Sequence, residues 1–178
     1  MKIPVRRCLL AFLLCGLLCP AQRSFGAVEM FLKLAGIDGE STDKAHPNEI
    51  VTLAFSQGVT STITPAGGSA TFSDFSITKT VDKATPLLYL TAAQGKHISQ
   101  AVLTVRNSGA TPFDFYQIIL TDVMISSVQS SGSAGADRPT ETLTLKYAQI
   151  EWTYTPQNPD GTAGMPVVAT WNLTKNTP

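Results

Sequence analysis

Apolar residues recur at every second position through almost every segment beyond residue 27, and this spacing restricts the domain to strands. Val28, Met30, Leu32 and Leu34 form one such set, with Glu29, Phe31 and Lys33 on the opposite face. Val51, Leu53 and Phe55 form the next, then Phe75 and Ile77, Leu103 and Val105, and finally Val167, Ala169, Trp171 and Leu173. Gly67-Gly68, Asn107-Ser108-Gly109 and the run 130–135 punctuate the pattern as turns or loops. No internal repeat interrupts it. The expected class is mainly β: a β-barrel or two-sheet domain with one short flanking helix.

That helix is expected within residues 82–94, DKATPLLYLTAAQ. Pro86 falls in a first turn, where its missing N–H costs little. Asp82 or Thr85 is positioned to cap the start, and Gly95 to end the helix in the left-handed conformation. Leu87, Leu90 and Thr91 share one face, with Leu88 and Ala92 beside them. The segment therefore reads as amphipathic, its apolar side closing a barrel end or covering a sheet.

Two later segments break the simple alternation. Residues 113–128 are apolar on both faces, with Tyr116, Ile118, Leu120 and Met124 on one and Phe115, Ile119, Val123 and Ile125 on the other. A strand with water on one side would not look like this, so the second face needs a cover from another sheet, the helix or another subunit. In the following strand Leu143, Leu145 and Tyr147 are odd-numbered, whereas Ile150, Trp152 and Tyr154 are even-numbered. A slip of one residue turns every later side chain to the other face. A β-bulge near Ala148-Gln149, or a change of packing layer, is expected.

Residues 1–26 form a different unit. Lys2, Arg6 and Arg7 precede the apolar run CLLAFLLCGLLC at residues 8–19, which Pro20 closes, and Ser24 and Gly26 are the small residues a signal peptidase reads. This is the layout of a secretory signal peptide, cleaved close to Gly26-Ala27. A membrane anchor is the alternative, but spanning needs roughly 20 apolar residues. The division is therefore signal peptide 1–26 and β-domain 27–178, with a secreted or periplasmic destination and no membrane association after cleavage. Cys8, Cys15 and Cys19 all depart with the signal, which leaves no disulfide or thiolate chemistry. Nine basic residues then face thirteen acidic ones, a formal charge of −4 that gives nucleic acid no footing. A chain of this size buries about 70% of its surface in one domain.

No constellation for catalysis or metal binding is evident. The histidines are His46 and His97, both in predicted loops, and zinc needs three or four ligands. Asp38, Glu40 and Glu49 fall at positions 1, 3 and 12 of a calcium loop, but Asp43 occupies the position where such a loop requires glycine. No G-x-S-x-G elbow occurs. The sequon Asn172-Leu173-Thr174 lies in the last strand and reads as chance. Arg138, in the run Asp137-Arg138-Pro139-Thr140-Glu141, is expected to pair with a carboxylate while Pro139 fixes the turn. Neither a cofactor nor an enzymatic activity is expected.

Residues 30–50, MFLKLAGIDGESTDKAHPNEI, carry a resemblance. Phe31 to Leu34, then Gly36-Ile37, Gly39-Glu40-Ser41, Asp43, His46 and Glu49-Ile50 resemble the opening of the Hcp family, the ring-forming tube protein of bacterial type VI secretion. Later motifs agree in order: residues 75–86, Gly95-Lys96-His97-Ile98, residues 116–123, Asp137 to Glu141, and Tyr154-Thr155-Pro156-Gln157. The chain departs from the family's usual pattern at Ala35, at Ala92-Ala93-Gln94 in place of a Cys-Cys-Asn run, and in having a signal peptide. The resemblance implies a homohexameric ring, ring stacking into a tube, and as partners a spike protein, a contractile sheath and effectors in the lumen. Asp38, Glu40, Ser41, Asp43, Lys44 and His46 are then expected in a ring-stacking loop, and Phe115, Ile119, Val123 and Ile125 at a subunit interface. An exported Hcp-like module acting apart from the secretion apparatus is the alternative reading.

Overall fold

The computed structural model describes residues 27–64, 67–108 and 111–178. The signal-peptide reading falls on residues 1–26, outside the described part. The strands are β1 (Val28–Leu34), β2 (Ile50–Ser56), β3 (Val59–Thr64), β4 (Gly67–Phe72), β5 (Phe75–Thr80), β6 (His97–Asn107), β7 (Phe113–Ser131), β8 (Thr140–Tyr154) and β9 (Val167–Asn172), with helix α1 (Thr85–Gln94) between β5 and β6. The main sheet runs β5-β2-β1-β6-β7-β8-β9, and β5 also pairs with β8. That last pairing closes six strands into a barrel, which removes the free edges an open sheet would expose. Strand β9 extends from β8 outside the closure, and β3 and β4 form a separate hairpin.

The barrel interior is packed with apolar side chains. Leu32, Leu34, Ile50, Phe75, Ile77, Leu103, Ile118, Leu120, Leu143, Leu145 and Ile150 are all buried in one cluster. The hairpin is fastened by Phe72, whose ring lies 6.1 Å from both Trp152 and Trp171. Its far end is solvated, with Ile63 84% exposed.

The expected phase change in β8 is present, and it is shared. Burial passes from Tyr147 to Ile150 in β8, from Leu120 to Val123 in β7, and from Ile98 to Ala101 in β6. The pairs on either side keep their alignment: Ile98 and Gln100 face Val123 and Thr121, which face Tyr147 and Gln149. Ser99, Asp122 and Ala148 thus stand in one row, and Asp122 adopts a left-handed φ of 53°. Aspartate tolerates that region better than most residues. Because three neighbours slip together, no register is lost between them. A true bulge lies further on, where Ser126 is inserted between Ile125 and Ser127.

Three expectations are corrected. In β2 the buried residues are Ile50 and Thr52, whereas Val51 and Leu53 face solvent; an irregularity between Thr52 and Ala54 returns Phe55 to stack on Phe75. Helix α1 is not amphipathic in the sense expected. Leu88 enters the core, while Leu87, Tyr89 and Leu90 are exposed. Its N-cap is Ala84 without a side-chain cap; Asp82 instead accepts from the Ala84 N–H at 2.9 Å, one residue before the helix proper. Pro86 and Gly95, at φ 59°, do take the expected places at its two ends. Among the described residues no helix is long and apolar enough to cross a membrane.

Candidate assembly surfaces

The loop 38–49 leaves β1 and returns to β2 across the outside of the barrel. It is closed on itself by backbone bonds from Gly39 N to Asn48 O, Ser41 N to Glu49 O and Asn48 N to Ser41 O. Gly39 is needed for this closure, since a Cβ there would collide with the carbonyl oxygen of Glu49 and the Cα of Ile50. Asp43 Oδ1 then accepts from the N–H groups of Ala45 and His46 at 2.8 and 3.0 Å, which is an Asx-type turn.

A polar clasp ties the loop to the barrel. Arg106 of β6 donates from Nε to Asp114 of β7 at 2.6 Å and from a terminal nitrogen to Asp43 at 2.9 Å. His46 stacks on Phe31, with Glu49 3.1 Å from Nδ1 and Asp114 3.3 Å from Nε2. The hydrogen bond from the Ala45 N–H, opposed by some desolvation and helped by the His46 N–H and the Arg106 charge, holds the Asp43 carboxyl below the usual aspartate range. Burial works against the charge on Arg106, but the hydrogen bond and charge of Asp114, followed by those of Asp43, hold it above its ordinary value.

The six loop residues therefore divide. Asp38, Glu40 and Lys44 are exposed; Ser41 and His46 are 7% exposed and turn inward; Asp43 lies between. As a group they do not form one outward-facing surface. Ser41 and His46 are corrected from contact residues to residues that shape the loop, because closure of the loop buries them. Glu40 accepts from the Lys83 N–H at 3.0 Å and lies 3.7 Å from Arg138, which supplies the carboxylate expected for that arginine. Glu40 and Glu49 thus engage different partners rather than converging as calcium ligands.

The four strand residues divide as well. Val123 is fully buried and Ile125 6% exposed, both in the barrel core, while Phe115 and Ile119 stay half-buried. The slip at Asp122 is the reason: it turns the odd-numbered residues inward beyond that point. Val123 and Ile125 are thereby corrected from outward-facing residues to residues of the barrel core. Much of the apparent second apolar face of β7 is the barrel's own core seen after a change of phase.

Sequence reasoning missed two features. One is an open groove of about 570 Å³ along β1, β2 and the loop, with Val28, Met30, Phe31, Val51, Leu53 and Asp43 in its lining. The reversed phase of β2 brings Val51 and Leu53 to it, and the bulge that restores Phe55 left no sequence signal. The other is a buried ion cluster. Lys79, fully buried, donates to Glu141 at 2.6 Å, Asp82 at 2.7 Å and the Thr80 carbonyl at 2.8 Å. All three ammonium hydrogens are used, as burial requires. Thr85 also donates to Glu141 at 2.9 Å, so the cluster pins the start of α1 to β5 and β8. A lysine pointing inward in a strand of alternating apolar residues was the available signal.

The family model described as "Type VI secretion system effector, Hcp" matches residues 31–154. The protein Hcp1 of Pseudomonas aeruginosa is 42% identical over 158 residues, covering 84% of this chain and 98% of that protein. A solved structure described as that of a type six secretion system protein is similar with a TM-score of 0.80 and 33% identity, over 85% of this chain and 99% of the other. Hcp1 from Salmonella typhimurium gives a TM-score of 0.73 and 32% identity, over 85% and 98%. The barrel, its appended hairpin and its single described helix are thus those of a known group, and the chain belongs to the Hcp family of type VI secretion proteins.

Proposed function

We propose that this chain is an exported ring-forming structural protein, six copies closing head to tail and the rings stacking into a tube whose lumen accepts effectors. The observation that carries the reading is the extent of the match, which takes in 84% of the chain and nearly all of the Pseudomonas relative. A closed ring needs two different patches on each subunit. Phe115 and Ile119 on β7, half-buried, and Val51 and Leu53 on β2, exposed, are apolar residues on well-separated strands of the barrel. Of the expected stacking residues, Asp38, Glu40 and Lys44 are exposed and available for such contacts.

Light scattering and electron micrographs of the purified protein test this. Six-subunit rings are expected, with an interface of about 1,000 Å² or more. A folded monomer at tens of micromolar without rings overturns the reading. Mass spectrometry of exported protein should place the N-terminus near Ala27, and an intact Met1 on the bulk of the protein would remove the export proposal.

The N-terminal sequence favours a second reading, an Hcp-like module that acts in the periplasm or outside the cell apart from the secretion apparatus. Export abolished by loss of the apparatus would eliminate it; export persisting without the apparatus would support it.

A further inference from the structure

We infer that His46 is a protonation-operated latch: as an imidazolium it holds the loop 38–49 against the barrel, and it loosens the loop on losing a proton. Both ring nitrogens face carboxylates, Nδ1 at 3.1 Å from Glu49 and Nε2 at 3.3 Å from Asp114. An ionised carboxylate only accepts, and a neutral imidazole has one N–H and one lone pair. A neutral ring would therefore aim its lone pair at one of the two carboxylates. Only the doubly protonated ring satisfies both contacts.

The surrounding charges require the same state. The loop contributes Asp43 and Glu49, β7 contributes Asp114, and β6 contributes the cation Arg106, which is paired with Asp43 and Asp114; Lys44 of the loop is exposed and makes no ion pair with them among the described contacts. β1 presents the uncharged ring of Phe31. Three carboxylates against one guanidinium leave two excess negative charges, which an imidazolium reduces to one. The His46 side chain is 8% exposed, with Phe31 under its ring, so water has little access to replace a lost partner.

Loss of the ring contact would loosen residues 41–49, while Glu40 keeps the start of the loop on the Lys83 N–H and Asp43 keeps its contact with Arg106. The loop's internal backbone bonds do not involve the His46 ring, whereas its attachment to β7 runs through that ring and through Arg106. The loop is then fixed in mildly acidic surroundings and loosened in alkaline ones. This holds whether or not the loop meets another ring.

Amide hydrogen exchange on the protein as isolated, corrected for the intrinsic rate, tests the latch. Amides 41–49 should be about tenfold less protected at about pH 8.5 than at about pH 5.5. Protection in β1 and β6 should stay constant. His46→Phe keeps a ring on Phe31 without either donor, and should show low loop protection at both pH values with no step. Asp114→Asn removes the carboxylate facing Nε2 and should reduce the difference in loop protection between the two pH values. Equal loop protection at both pH values in the wild type, or a step that persists in His46→Phe, overturns the inference. If His46→Phe does not fold, nitrogen NMR of the wild-type ring decides: two N–H groups with the loop closed support the latch, and a single neutral tautomer with the loop closed refutes it.

Discussion

His46 lies flat on Phe31, the ring centroids 4.5 Å apart and the planes 11° apart. Phe31 points out of the barrel, yet it is only 5% exposed because the loop folds back over it. Phe31→Ala removes the surface on which the loop rests. It should cost about 3 kcal/mol in urea unfolding, the lower end for a buried phenylalanine because part of the site can refill with solvent. A loss under half that value would mean the ring stack contributes little.

Gly39→Ala should be disproportionately harmful for a single methyl group. Its Cβ meets backbone atoms of Glu49 and Ile50, which cannot rotate away. A cost of about 2 kcal/mol is expected. Exchange measurements should show the damage at residues 39–50 before the rest of the barrel.

The buried cluster predicts an order of effects. Lys79→Met leaves Asp82 and Glu141 without a cation, and should cost about 4 kcal/mol or prevent folding. Glu141→Gln leaves Lys79 paired with Asp82 and should be milder. Equilibrium unfolding of the two variants checks the order, and a reversed order contradicts the account of charge balance.

Acid should weaken the clasp through Asp43. Its carboxyl is held below the ordinary range in the folded chain, first by the Ala45 N–H. Its contribution is complete above the unfolded value of about 3.9 and disappears as pH falls through the lower folded value. Asp43→Asn lacks this dependence. The stability difference between wild type and Asp43→Asn should be largest above about pH 5 and should shrink on further acidification. A constant difference down to about pH 2.5 would show that Asp43 gains nothing from its partners.

The class of fold was legible because period two recurs in almost every segment, and the helix ends because Pro86 and Gly95 have strong positional preferences. The slip in β8 was legible because two apolar triplets of opposite parity meet at Ala148-Gln149. The matching slip in β7 was hidden, since residues on both faces of that segment are apolar and parity carries no information there. For that reason Val123 and Ile125 read as surface when they are core. The clasp was illegible for another reason: Arg106 and Asp114 meet Asp43 and His46 across 60 or more residues, and only the closed barrel brings them together.

Ser99, Asp122 and Ala148 form one row across three strands, and the row constrains which length changes the barrel can survive. Removing Asp122 alone would turn half of β7 over, sending Val123 and Ile125 outward and Met124 in. Repairing it would require deletions at the same height in β6 and β8. Natural insertions and deletions arise one at a time, so each intermediate would carry a strand with half its side chains reversed. The barrel wall is thus open to amino-acid replacement at many positions but nearly closed to indels between its first and last paired rows, and length variation should collect in the β3–β4 hairpin and in the turns instead.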